Sequence, residues 1–469
     1  MKKTTPNLRT NFALLVVCFC TTLSFGQNLY DSNGTIIWDA TANSSHNNNV
    51  NFIGRDDNAG LNKKQNTDIA PQPMVLIGLG TIAANNAANP NTFATDLNFL
   101  VWGDNNGDMS DTDGELTINF SGGSGMSTVV DTPTRTWKII ENGGDIGSTR
   151  IAIPTSSLSG LPTPTSNDAY VMVIADDEGF STNVETVFLT TSGANQIADY
   201  DFDGVKFFTF GVAKLNTGSL QITLDGSDDY IKFNNVNNIS GSFTMMFWIK
   251  PNGQNELSSD RTIVSKYNGA SGYRVYLSND NKINVAWNGG TLLTSNTAFP
   301  NGKWHNVTLT FSLNKLSLYI DGILDRSITT AVPTVNSNNF IIGAEYFGKE
   351  DVRNYFKGEI DEFRLWNRAL GLTQLRFIMN QEILQNSADT KGAILPSSIS
   401  KNDISTVKWS SLVAYYTMNS FIGTHIDDDS LNKNRGYLVS QSDITVATQK
   451  APIPYLSVAG GLWNSAATW

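Results

Sequence analysis

Three carboxylates crowd one short stretch: Glu359, Asp361 and Glu362 in KGEIDEFRLWNRAL (357–370), with Arg364, Trp366 and Arg368 close behind. Paired carboxylates are the machinery of glycoside hydrolysis, and a retaining enzyme holds its two about 5–5.5 Å apart. Side chains on a strand alternate, so acids at i, i+2 and i+4 would line one face of a cleft. Here a regular strand puts Glu359 and Asp361 on one face and Glu362 on the other. A bulge would return Glu362, at the expense of the shared face of Phe363 and Leu365. The pattern therefore predicts a structural strand with no catalytic centre. Phe363 and Leu365 belong to a core, and Glu362 and Arg364 to solvent.

The remaining chemistry is sparse. The chain has three histidines, His46, His305 and His425, set in an Asn run, beside Trp304 and in a polar stretch. No Gly-x-Ser-x-Gly elbow, His-Glu-x-x-His or phosphate-binding glycine loop is present. In DNNGDMSDTDGE (104–115), Asp104, Asn106, Asp108, Ser110 and Glu115 fall at positions 1, 3, 5, 7 and 12 of a calcium loop. Met109 stands where that loop needs glycine, and the flanks read as strands. Aromatic rings can stack on sugar faces. Trp248 and Trp304 lie in apolar strands and are expected in cores. Trp287, before an NGG turn, and Tyr346, in GAEYFGKED, are expected at the surface as ligand-binding residues.

The 469 residues are 40% hydrophobic and only 16% charged, with polarity supplied by Asn, Ser and Thr runs. This length implies roughly two to four domains. Lys2, Lys3 and Arg9, an apolar Phe12–Phe19 run and Ser24/Gly26 predict a cleaved export signal over 1–26. Both cysteines, Cys18 and Cys20, fall inside it, so disulfides and thiolate metal sites are excluded from the mature chain. Removing those three basic residues moves the formal charge from −11 to −14. An acidic chain without a basic run is a poor partner for nucleic acid. No apolar run after the signal reaches the ~18 residues of a membrane span.

These residues must be positioned by strands. TDLNFLVWG (95–103), GELTINF (114–120), RTWKII (135–140), AYVMVIA (169–175), ETVFLT (185–190) and KFFTFG (206–211) alternate between turn clusters. FSLNKLSLYIDG (311–322) reads as a hairpin. The pattern predicts an all-β chain of tandem β-sandwiches.

FIGRDDNAGLN (52–62), RTWKIIENGGDIG (135–147) and YDFDGVKFFTFG (200–211) resemble a module found near the start of large secreted proteins of the Bacteroidota. The resemblance assigns that module no function. LDGSDDYIKF (224–233), SFTMMFWIKP (242–251), GKWHNVTLTFSLNKLSLYIDG (302–322) and FKGEIDEFRLWNRAL (356–370) resemble, in order, the strands of the laminin-G-like, concanavalin A-like jelly roll. That resemblance implies two packed antiparallel sheets and a short helix after the last strand. It also implies a calcium site near the first and last strands, where Asp225 and Asp361 match. WSSLVAYYTMN…IDDDSLNKNRGYL (409–438) resembles the start of another such unit, with Lys433 and Arg435 in place of small residues.

The expected organisation is a signal (1–26), an N-terminal β-sandwich (27–213), a jelly roll (214–388), and a linker with an incomplete further β module (389–469). The expected function is non-catalytic binding or adhesion at the cell surface or in secreted form, toward an extracellular glycan or protein. The alternatives are the accessory part of a hydrolase and a structural spacer.

Overall fold

The computed structural model describes residues 27–451, apart from 68–72, 111–113, 120–126, 218–220, 254–259, 349–350, 394–402, 441–444 and 448–450. The signal, with Cys18 and Cys20, lies outside the described residues. The chain divides into two compact units. One holds residues up to Leu116 with Val129–Lys214; the other holds Thr117–Thr128 and the chain from Leu215 on.

The first unit is a sandwich. Leu76–Leu79, Thr149–Pro154, Asn195–Tyr200 and Thr190–Ser192 form one antiparallel sheet. Asn48–Asp56, Phe99–Asp104, Trp137–Asn142 and Asp168–Ala175 belong to the other. Ile53, Trp102, Ile139, Ile151, Met172 and Phe208 from both sheets close one core. Each segment read as a strand from its alternation carries a strand.

The second unit is the jelly roll. Its first sheet runs Ile323–Thr329, Lys315–Ile320, His305–Ser312, Phe243–Pro251, Lys357–Trp366, Gln221–Asp225 and Thr445–Ala447. The second contains Tyr230–Lys232, Ile341–Ile342, Arg261–Tyr267, Gly272–Leu277, Lys282–Trp287 and Gly290–Ala298. Phe247, Ile360, Phe363 and Leu365 from the first sheet meet Ile231, Val275, Val285 and Ile342 from the second in a single core. Leu372–Met379, the one α-helix among the described residues, follows the Lys357–Trp366 strand as expected.

The 389–469 boundary needs correction. Leu412–Tyr416 pairs with Lys357–Trp366, Gly436–Val439 with Tyr230–Lys232, and Thr445–Ala447 with Gln221–Asp225. These three strands therefore complete both sheets of the jelly roll and do not begin a new module. Ala414, Tyr416, Phe421, Ile426 and Leu438 bury their side chains in the core formed by residues 222–365. An apolar run shows that a strand exists, but not which sheet receives it, and this contact lies far away in sequence.

Candidate functional site

The Lys357–Trp366 strand changes neighbour midway. Its first half pairs with Gln221–Asp225, through Asp225↔Lys357 and Ile222↔Ile360; its second half pairs with the tail strand, through Phe363↔Tyr416 and Trp366↔Leu412. At the junction, against Phe243–Pro251, the register steps from Trp248↔Asp361 to Met246↔Arg364. Two residues, Glu362 and Phe363, therefore oppose Phe247 alone, which is a β-bulge. Glu362 takes its left-handed conformation, φ 54°.

The bulge overturns two expectations. It brings Glu362 back toward the face of Asp361, while Ile360, Phe363 and Leu365 all keep the core face. Glu362 and Arg364 are not solvated: they are 1% and 0% exposed. The outer face of this strand is covered by the helix, Gln381 and Tyr415. Arg364 donates from Nη1 to the Ile378 carbonyl and from Nη2 to the Gln381 carbonyl, 2.6 Å each. It also donates to Glu362, whose Oε2 accepts the Tyr415 hydroxyl at 2.9 Å. Burial pushes the Glu362 carboxyl above its ordinary range, and the Arg364 guanidinium opposes that rise. Glu359 is held by Lys250 Nζ at 2.9 and 3.0 Å. Asp361 Oδ2 accepts the Ala451 amide at 3.0 Å. The three acids thus have separate internal partners, Lys250 for Glu359, the Ala451 amide for Asp361, and Arg364 with Tyr415 for Glu362.

The calcium candidates are rearranged. Asp225 and Asp361 are not brought together. Asp225 sits opposite Lys357, so Asp361 lies four residues along, about 13 Å at strand rise, and it is 1% exposed. Asp225 instead meets Asp228 and Asp229, with one ligand oxygen from each within 4.8 Å of the others. In the 104–115 stretch, Asp104 Oδ2 accepts from Asn49 at 2.9 Å and from Arg135 at 3.3 Å. Asp108 Oδ1 turns back to Ser110, and the Asn106 Oδ1 faces Arg135. Glu115 is exposed on the strand Gly114–Asn119. Donors on this chain thus engage both oxygens of Asp104, Asn106 Oδ1 and Asp108 Oδ1.

Trp287 is also corrected. It is 2% exposed and packs in the inter-sheet core, edge-on to Phe311. Trp248 is buried as expected, its indole N–H on the Met379 carbonyl at 3.0 Å, and Trp304 is half-buried beside it. Tyr346 is half-buried on the opposite, outer face of the second sheet. There it joins Tyr230, Tyr355, Ile341 and Val352 in a separate cluster. The Tyr230 and Tyr355 rings lie 6.2 Å apart, and Lys232 Nζ sits 5.0 Å over the Tyr346 ring.

Next to these tyrosines the same face carries a fixed polar group. Arg274 lies 4.0 Å over the Tyr276 ring. It pairs with Asp260 at 3.1 Å and with Glu345, whose other oxygen accepts Asn354 Nδ2 at 2.7 Å. Burial raises the Asp260 carboxyl, and Arg274 counters it. Tyr230, Arg274, Tyr276 and Tyr355 escaped the sequence reading. Period two in GYRVYL carries a usable signal: Tyr273, Val275 and Leu277 enter the core, so Arg274 and Tyr276 must face out.

His46 is fully buried, with Nε2 2.9 Å from Thr136 Oγ1, and burial lowers its pKa. His305 Nδ1 is 2.8 Å from Asp321.

Residues 225–376 match the family model of the concanavalin A-like lectin/glucanases superfamily, and residues 15–208 match a domain of unknown function (DUF8202). No curated protein matches the sequence. Among solved structures, a Bacteroides ovatus protein classed as carbohydrate-binding is similar at 17% identity and a TM-score of 0.37, over 67% of this chain and 95% of that one. A SAP-like pentraxin of Limulus polyphemus is similar at 15% identity and 0.30, over 44% and 94%. The CBM40 of a Ruminococcus gnavus sialidase, bound to α2,3 sialyllactose, is similar at 13% and 0.29, over 35% and 97%. Likeness at these levels brings no ligand to this chain. The second domain is a concanavalin A-like jelly roll, matched over residues 225–376 and completed by tail strands beyond the matched span.

Proposed function

We propose that this is an exported, non-catalytic glycan-binding protein whose ligand lies on the outer face of the second sheet of the jelly roll. The observation that carries this reading is the half-buried pair Tyr346 and Tyr355, packed on the buried Tyr230, beside Arg274, which is fixed by Tyr276, Asp260 and Glu345. A sugar ring has an apolar C–H face and a rim of hydroxyls. Aromatic rings suit the first. Planar polar groups already locked in place suit the second, because little side-chain freedom is lost on binding. Arg274 is flanked by two carboxylates, so the site favours a neutral glycan over an anionic one.

The non-catalytic reading is supported by the acids of the Lys357–Trp366 strand, each engaged by Lys250, Ala451 or Arg364 and Tyr415. Export with cleavage before Gln27 belongs to the same proposal, resting on the sequence. Among the described residues no helix is long and apolar enough to cross a membrane. Calcium belongs to it as well: Asp225, Asp228 and Asp229 offer the hard oxygens that this ion prefers, and they would hold it at the start of the domain.

The test is a screen of the mature protein against a neutral glycan array, alongside release of reducing ends from β-glucans. Retention on neutral glycans without hydrolysis is the expected result. Hydrolysis that disappears in Glu359→Gln would contradict the proposal.

A further inference from the structure

We propose a second ligand site in the tail of the jelly roll, between the Ile383–Asn386 strand, Trp409 and the 429–433 loop, which takes a neutral saccharide of one or two rings. It rests on the same saccharide-binding reading but occupies a different place, built in part by residues, Trp409 and the 429–433 loop, that the sequence had assigned to another module. The recess there measures about 410 Å³, inside the range of roughly 300–1,000 Å³ usual for small-molecule sites.

Its lining is mixed in character: Ile383, Leu384, Trp409 and Leu431 are apolar, and Gln385, Asp429, Ser430 and Lys433 are polar. Leu384 and Leu431 are 41% and 59% exposed. Trp409 lies behind them, 4% exposed and packed edge-on against Tyr415. Exposed leucines around a buried indole form an apolar surface that a ligand can cover.

The acid run Asp427-Asp428-Asp429 divides its work. Asp427 pairs with Arg435 at 2.7 Å and with Lys433 at 3.7 Å. Asp428 is fully buried and accepts the Tyr415, Ser430 and Asn434 amides. Asp429 alone of the three lines the recess. Burial and its two acidic neighbours push its carboxyl up to about 6, with Lys433 opposing. Lys433 faces Asp427 as well as Asp429, so the wall offers an anionic ligand no unopposed cation. A sugar ring meets both kinds of lining: its C–H face covers the leucines, and its hydroxyls bond the Asp429 carboxylate and the Gln385 amide.

Calorimetric titration of the full mature chain with maltose, cellobiose and lactose tests this. Wild type should bind one or more of them at two sites per chain. Leu431→Ala, at a surface position that leaves the core intact, should weaken one site about tenfold. Asp429→Asn should weaken the same site. Tyr346→Ala should remove only the other. Binding that survives Tyr346→Ala but is lost in Leu431→Ala supports the recess and defeats the outer-face reading. Binding lost with Tyr346→Ala and untouched by Leu431→Ala and Asp429→Asn overturns the recess and leaves the outer face standing. Absence of binding by all three disaccharides overturns the recess.

Discussion

The Tyr415 hydroxyl donates to Glu362 Oε2 at 2.9 Å across 53 residues of chain. One bond thus ties the tail strand to the bulge of the Lys357–Trp366 strand. It also sets Glu362, from the most enzyme-like cluster in the sequence, in a buried joint between strands.

That joint makes Glu362→Gln costly. Removing one partner of a buried ion pair leaves Arg364 in the interior without its countercharge, a loss of about 3–5 kcal/mol. Tyr415→Phe deprives Glu362 of a donor and should cost about 1–3 kcal/mol. Urea unfolding of each variant measures this. A silent Glu362→Gln would mean that the pair is open to water.

Phe363→Ala should cost about 3–5 kcal/mol through the cavity it leaves. Phe363 stacks with Phe247 at 6.2 Å and Tyr416 at 5.6 Å, so three strands lose contact at once. A loss below 1 kcal/mol in the same unfolding series would contradict the packing.

The tail should be indispensable. A fragment ending at residue 388 lacks Leu412–Tyr416, Gly436–Val439 and Thr445–Ala447, leaving unpaired edges in both sheets. It should be protease-sensitive and melt without cooperativity, whereas a fragment ending at 451 should melt in one transition. Equal melting of the two would restore the boundary read from the sequence.

Calcium should raise the melting temperature through Asp225, Asp228 and Asp229. Saturation at a hundred times the dissociation constant contributes about 2.7 kcal/mol. The shift should vanish in Asp228→Asn and persist in Asp104→Asn. A shift lost with Asp104 would move the ion to the N-terminal unit.

Acid should weaken the first unit through His46. Burial holds its folded pKa below the ordinary 6.5. Above 6.5 both states are neutral. As pH falls through 6.5 the unfolded state takes the proton first, so stability is lost downward from there to the folded pKa. An NMR titration of the His46 ring should show a midpoint below 6.5. A midpoint above it would show that the nearby Glu178 carboxylate outweighs burial.

Much of this architecture was legible in residues. Alternation located the strands of both sandwiches, and four ordered segments carried the jelly roll. Long-range contacts were not legible. Glu362 and Arg364 read as solvated because period two describes one strand, while their burial comes from a helix and a tail folding over it. Trp287 read as exposed because a turn follows it, yet alternation with Ile283 and Val285 places it in the core. Tyr346 read as exposed and is half-buried outside the inter-sheet core, and its neighbours Tyr230 and Tyr355 come from distant strands that no local pattern unites.

Binding of neutral glycans by the wild type and by Tyr346→Ala, measured on one array with the melting temperature of each protein, tests the central claim most directly. The account predicts that wild type is retained, that Tyr346→Ala loses retention, and that the two melt within a degree or two, since Tyr346 is half-buried outside the inter-sheet core. Undiminished retention by Tyr346→Ala would contradict it.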